Sequence, residues 1–185
     1  MQDALIHKLN WVDVAIIVVF VRIVFVGFRR GFTVEIFKLI ATVCGIFISI
    51  HFYSSISKFV SLHSPLTAEF AGPIVLAGLF VIVLIIFKFI RDGLMFVFHI
   101  QPIPVIDKWG GLLLSLLRGY FVASIVILFI FLVPIDYFEN STKSSFSKEY
   151  LLELSPRTYA FVFENIYSKF SSSDKLNKEV FESIQ

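Results

Sequence analysis

Four long apolar runs, Val12–Phe28, Phe32–Tyr53, Pro73–Ile90 and Leu112–Val133, constrain this chain more than any motif in it. Each approaches the roughly 20 residues that an α-helix needs to cross a hydrocarbon layer about 30 Å thick. A helix of a water-soluble domain buries one stripe and keeps its other face polar. These runs have almost no polar face. They predict an all-α, polytopic membrane protein, a four-transmembrane-helix bundle, over residues 1–134. Residues 135–185 form a polar tail in which Tyr159, Val162, Phe163, Ile166, Tyr167 and Phe170 share one helical face, opposite Glu164, Asn165 and Lys169. That spacing predicts a C-terminal amphipathic peripheral helix at about 156–170, lying on the bilayer or docked onto the bundle.

Composition narrows the function. Hydrophobic residues make up 57% of the chain, and a formal net charge of +2 without a Lys/Arg block offers nucleic acid no footing. Cys44 is the single cysteine, so neither a disulfide nor a thiolate metal cluster is expected. His7, His51, His63 and His99 are never three or four apart, and no H-E-x-x-H, G-x-S-x-G or phosphate-loop pattern occurs. No catalytic, cofactor-binding or metal-binding residue is therefore nominated, and an enzyme is not expected. The first ten residues carry Asp3 and Lys8 and lead into no small-residue cleavage site, so the first run should persist as a span.

Charges inside the runs are the informative exceptions, because an ionised group in hydrocarbon needs a partner or a polar interior. Asp13 opens the first span, where an acid complements the helix N-terminus. Arg22 lies well inside that span. Glu35 can face it across the short Gly27–Gly31 link, which should fold spans one and two into a tight antiparallel hairpin. Arg118 stands about three turns beyond Asp107 and calls for a carboxylate such as Asp13 or Glu35. Arg118 also suits a substrate or a lipid phosphate, but orienting the helices is the simpler use. Two rows of small residues, Ala41/Gly45/Ser49 and Gly111/Ser115/Gly119, let a neighbouring backbone approach closely. The same charges admit a second reading, a small transporter or channel whose polar path is lined by Arg22, Glu35 and Arg118.

The connections can be read as well. Ser54–Gly72 is a polar stretch punctuated by Pro65 and Pro73, and Leu94–Ile100 is too short to cross, so it reads as an interfacial or re-entrant continuation. Gln101–Pro104 should stop any helix, and Pro134 closes span four. Arg29 and Arg30 in one link, with Lys88, Arg91 and Lys108 in another, outweigh in density the cations of the opposite side, Lys8, Lys58, Lys143 and Lys148. By the positive-inside rule, both termini then lie outside the cytoplasm.

Two stretches, in register on these spans, resemble a known family. One is Asn10-Trp11-Val12-Asp13 with Gly27, Arg30-Gly31-Phe32 and Glu35. The other is Asp107-Lys108-Trp109-Gly110-Gly111, continuing through Ser115 to Arg118-Gly119. Together they are similar to the colicin V production protein (CvpA) family over roughly residues 10–133. Lys108 replaces the usual Arg and Ser115 the usual Gly, which keeps charge and small size. The resemblance implies a bacterial inner-membrane accessory protein that assists production or export of a secreted peptide toxin, or envelope homeostasis. Its partners would be membrane lipid, further copies of itself or other inner-membrane proteins. Asp13, Arg30, Glu35, Asp107 and Arg118 would orient the bundle, with Gly111, Ser115 and Gly119 as its contact face.

Overall fold

A computed structural model of the chain describes residues 10–63, 67–98, 104–170, 176, 177 and 179–184. Expectations about an uncleaved N-terminus and a helix stop at Gln101–Ile103 fall outside these residues. Four long helices come first: α1 (Trp11–Arg30), α2 (Phe32–His63), α3 (Ala68–Phe98) and α4 (Pro104–Leu132). Shorter ones follow: α5 (Asp136–Ser144), α6 (Phe146–Leu151), α7 (Leu154–Asn165), a 3-10 turn at Tyr167–Lys169 and α8 (Glu179–Ile184). No strand occurs among the described residues. The four long helices are each long and apolar enough to cross a membrane, so the chain is an all-α, multi-pass membrane protein.

Local chemistry sets the ends of α1. Asn10 and Asp13 form a capping box at its start. Gly31, at φ 84, ends it. That backbone conformation is strained for any side chain, and a Cβ there would also collide with the Asp107 carboxylate. One glycine thus separates two helices.

The hairpin expected from that link does not form. α1 packs along α4, α2 packs along α3, and α2 and α4 join the two pairs, whereas α1 and α2 scarcely touch beyond Gly31. Small residues explain the choice. A Cβ on Gly111 of α4 would lie 2.8 Å from the Gly31 carbonyl carbon and 2.9 Å from the Gly27 oxygen. The α1 backbone therefore reaches α4 at a distance that only glycine permits. On α2, Gly45 serves α3 in the same way, with Phe80 lying over it.

The polar stretch after Tyr53 is helical. α2 runs on to His63 and α3 begins at Ala68, with Pro73 inside α3. At 32 residues α2 is about 48 Å long, so it projects beyond a hydrocarbon layer of about 30 Å. α4 starts at Pro104, where the missing N–H costs nothing, and it ends before Pro134. α3 continues unbroken through Phe98, so Leu94–Phe98 belongs to its last turns.

Inside the bundle, Val12, Ile16, Ile46, Ile50, Leu76, Phe80, Ile127 and Leu128 are buried. Outside, Val14, Val18, Val21 and Phe25 of α1 and Ile82, Ile85, Ile86 and Phe89 of α3 are exposed. Helices that are apolar on both faces belong in lipid.

The half of α2 farther from Gly31 is the platform for the tail. Tyr159 of α7 is completely buried, and its hydroxyl lies 3.2 Å from His51 Nδ1 and accepts from the Asn177 amide at 2.9 Å. Burial pushes the Tyr159 hydroxyl above the ordinary tyrosine range, against that amide bond and with help from Tyr167. Asn177 Nδ2 donates to the Ile50 carbonyl at 2.8 Å, and Lys58 pairs with Glu179 of α8 at 2.8 Å. The amphipathic helix thus docks onto the bundle. Its buried face is Tyr159 and Phe163, while Ile166 and Phe170 are exposed.

Candidate functional site

Most of the charges singled out in the sequence lie at the end of the bundle that carries Gly31, here called the link end. Glu35 stands in the first turn of α2 and is fully buried. Its Oε2 accepts from Arg118 Nε of α4 at 2.8 Å, and its Oε1 pairs with Lys38 one turn along α2. An isolated buried carboxylate would be costly, and pairing with these two cations offsets that cost. Of the two carboxylates considered for Arg118, Glu35 is the one it meets. Asp107 takes a different place, with its Oδ1 accepting from the Thr33 amide of α2 at 3.4 Å. It answers one of the open donors at that helix start.

The small-residue row is filled within the chain. Gly27 of α1 has Ser115 directly over it, Gly111 lies against Gly27 and Gly31, and Gly119 meets Phe20. Ser115 is fully buried and turns its hydroxyl to the Leu112 carbonyl at 2.8 Å. These residues are a contact face between α4 and α1, and so they are not free to receive another protein. Arg22 stays apart: it is exposed on α1, and no carboxylate of the described residues stands within ion-pair distance.

Beside the Glu35 cluster a cleft of about 520 Å³ opens between all four spans. Five cations line it: Arg30, Lys38, Lys88, Arg91 and Arg118. Glu35 serves two of them and Asp92 pairs with Arg91 at 2.6 Å. Among the described residues, no carboxylate is within ion-pair distance of Arg30 or Lys88, and both are exposed. Sequence reading counted Lys88 and Arg91 toward membrane orientation alone, and Arg30 toward that and the family signature. Their convergence depends on α3 lying against α2, which the cation spacing does not encode.

At the opposite, tail end, Asp13 is buried, and no cation of the described residues stands within ion-pair distance of it. Its oxygens accept from Ser145 Oγ at 2.6 Å, Ser147 Oγ at 2.5 Å, Ser147 N at 2.9 Å, Phe146 N at 3.3 Å and Asn10 N at 3.0 Å. Asn10 Nδ2 donates to the Ser141 carbonyl at 3.0 Å. The start of α1 thereby clasps the turn between α5 and α6. Nearby, Ser124 of α4 donates to the Leu151 carbonyl at 2.6 Å and accepts from the Ser155 amide at 2.8 Å.

Among the described residues no three His, Cys, Asp or Glu side chains gather as a metal site would require. No curated protein and no solved structure matches this sequence. The family described as colicin V production protein matches residues 12–156, from the first turn of α1 through the Asp13 clasp to the start of α7. The match covers the four spans, the Glu35–Arg118 pair and the turn that Asp13 holds, and the chain belongs to the colicin V production protein family.

Proposed function

We propose that this protein is a non-enzymatic accessory factor of the bacterial inner membrane, assisting export of a secreted peptide toxin or maintenance of the envelope. Family membership supports that setting. The observation that favours an accessory role over a conduit is where the charges go. Glu35 and Arg118, the residues a polar path would use, are locked to each other, and Arg22 faces away from them. At the tail end, α5–α7 are docked over the bundle through Asp13, Ser124 and Tyr159. Association with a second copy or with another inner-membrane protein then uses the outer apolar faces of α1 and α3, because the Gly111/Ser115/Gly119 face is occupied. Dense cations at the link end orient that end toward the cytoplasm and both termini away from it.

Deleting the gene in its host should lower secretion of a peptide toxin or raise sensitivity to detergent, with rescue by the intact chain. Unchanged secretion and unchanged sensitivity would count against this reading. Purified protein in liposomes should carry no ion or solute flux, whereas flux abolished by Arg118→Ala would favour a transporter. A reporter fused after Gln185 should be active outside the cytoplasm.

A further inference from the structure

On each of the four walls of the link-end cleft, the lining cation lies nearer the link end than the aliphatic residue of that wall. On α1, Arg30 stands at the end of the bundle and Ile23 about two turns deeper. On α2, which runs the opposite way, Lys38 lies nearer that end than Ala41 and Thr42. On α3 the order inward is Arg91, Lys88, Leu84, and on α4 it is Arg118 then Val122. Two of these helices run toward the link end and two away from it, so no single sequence motif produces the agreement. It exists only in the assembled bundle.

We propose that this cleft binds an anionic membrane lipid, with its phosphate among Arg30, Lys88 and Arg91 and its acyl chains along Ile23, Leu84 and Val122. Charge supports this occupant. Five cations face two partner carboxylates, a formal excess of three, and Arg30 and Lys88 have no carboxylate within ion-pair distance among the described residues. Arginine and lysine at the headgroup level attract phosphate-bearing lipids, and an arginine fork can take two phosphate oxygens at once. Shape supports it too, since a free inorganic anion would leave the apolar depth of the cleft unused. Glu35 fits the same design: by holding Arg118 and Lys38 it fixes the inner edge of the charged zone. This inference is independent of the export or envelope role.

The phosphate group is shared chemistry, and three probes separate its sources: phosphatidylglycerol, inorganic phosphate alone, and diacylglycerol, which has chains without the anion. The intact protein, purified in detergent, would be titrated with each, and binding read by native mass spectrometry. Phosphatidylglycerol should be retained, inorganic phosphate and diacylglycerol should not, and retention should weaken as salt is raised. The double variant Arg30→Gln/Lys88→Gln should lower affinity for phosphatidylglycerol about tenfold or more. Both positions are exposed, and an unchanged helical circular dichroism spectrum would verify that the fold persists. Lys143→Gln, on α5 at the far end, should bind as the parent does. Equal retention by the double variant, or diacylglycerol bound as tightly as phosphatidylglycerol, would overturn the proposal. Inorganic phosphate bound as tightly as the lipid would overturn the lipid as occupant.

Discussion

Among the described residues, each end of this bundle buries one carboxylate, and the two ends stabilise it by opposite means. At the link end Glu35 is held by cations, Arg118 and Lys38, in a setting where positive charge is in excess. At the tail end Asp13 has no cation partner among the described residues and is satisfied by neutral hydroxyl and amide donors from Asn10, Ser145, Phe146 and Ser147. Several hydrogen bonds to a carboxylate can replace a counter-ion, provided the donors are already fixed. The consequence differs. A neutral clasp fixes chain geometry and offers nothing to an outside ion. A cation cluster with surplus charge still attracts anions.

Substitutions can break or sharpen that contrast. The largest effect is expected from Glu35→Ala, which leaves Arg118 and Lys38 without their partner inside the bundle. Breaking a buried pair from one side costs about 3–5 kcal/mol, and thermal unfolding in detergent should report it together with reduced accumulation. Asp13→Ala comes next. It strips the donors of the α5–α6 turn of their acceptor, for about 2–3 kcal/mol. Its signature should be local: faster proteolysis within residues 145–151, with the link-end cleft intact. If both substitutions loosened the same segment, the two ends would not be separate devices.

Gly111→Ala probes the packing between them. The added methyl would meet backbone atoms of Gly27 and Gly31 that cannot rotate away, for about 1–3 kcal/mol of overpacking. A cross-link between α1 and α4 should form less readily. The smallest expected effect is at Glu179 of α8, half exposed to solvent. Hydrogen bonds from Lys58 and Ser54, against some desolvation, hold its carboxyl below the ordinary range. A folded-state value lowered in this way contributes stability that is fully present above the unfolded value of about 4.3 and is lost as pH falls through the lowered one. Amide exchange of α8 should therefore quicken on acidification through that window and stay level near neutrality. Lys58→Gln should flatten the response.

How much of this could be read from the chain follows from what hydropathy measures. Apolar runs report exposure to lipid or to core, so the four spans and the end at Pro134 were legible. The extent of α2 was not. Residues 54–63 are polar because the helix leaves the hydrocarbon there and carries the tail, and a hydropathy drop looks the same as a loop. Nor could neighbours be assigned. Helices apolar on every side carry no facing signal, and only the small-residue rows hinted at which surfaces touch, without saying whom. Gly111 and Ser115 turned out to face α1, so α1 packs on α4 and not on the helix beside it in sequence. Arg118 declared its need for a carboxylate, since a buried guanidinium demands one, and Glu35 was one of two nominees. Asp13 hid its partners, because Ser145 and Ser147 are more than 130 residues away and serines give no distinctive spacing. The cleft was invisible for a related reason: its cations come from four helices whose arrangement had to be known first.

A double-mutant cycle on Glu35 and Arg118 tests most directly that the link end is organised by a buried carboxylate locked to α4. Unfolding midpoints of Glu35→Ala, Arg118→Ala and the double variant would be compared in one detergent. The double variant should be clearly less destabilised than the sum of the two single losses, because Glu35→Ala alone strands Arg118, a charge that the double variant removes, while Lys38 loses its partner in both. Strict additivity would mean that the two side chains act independently, and the link-end site as described would not exist.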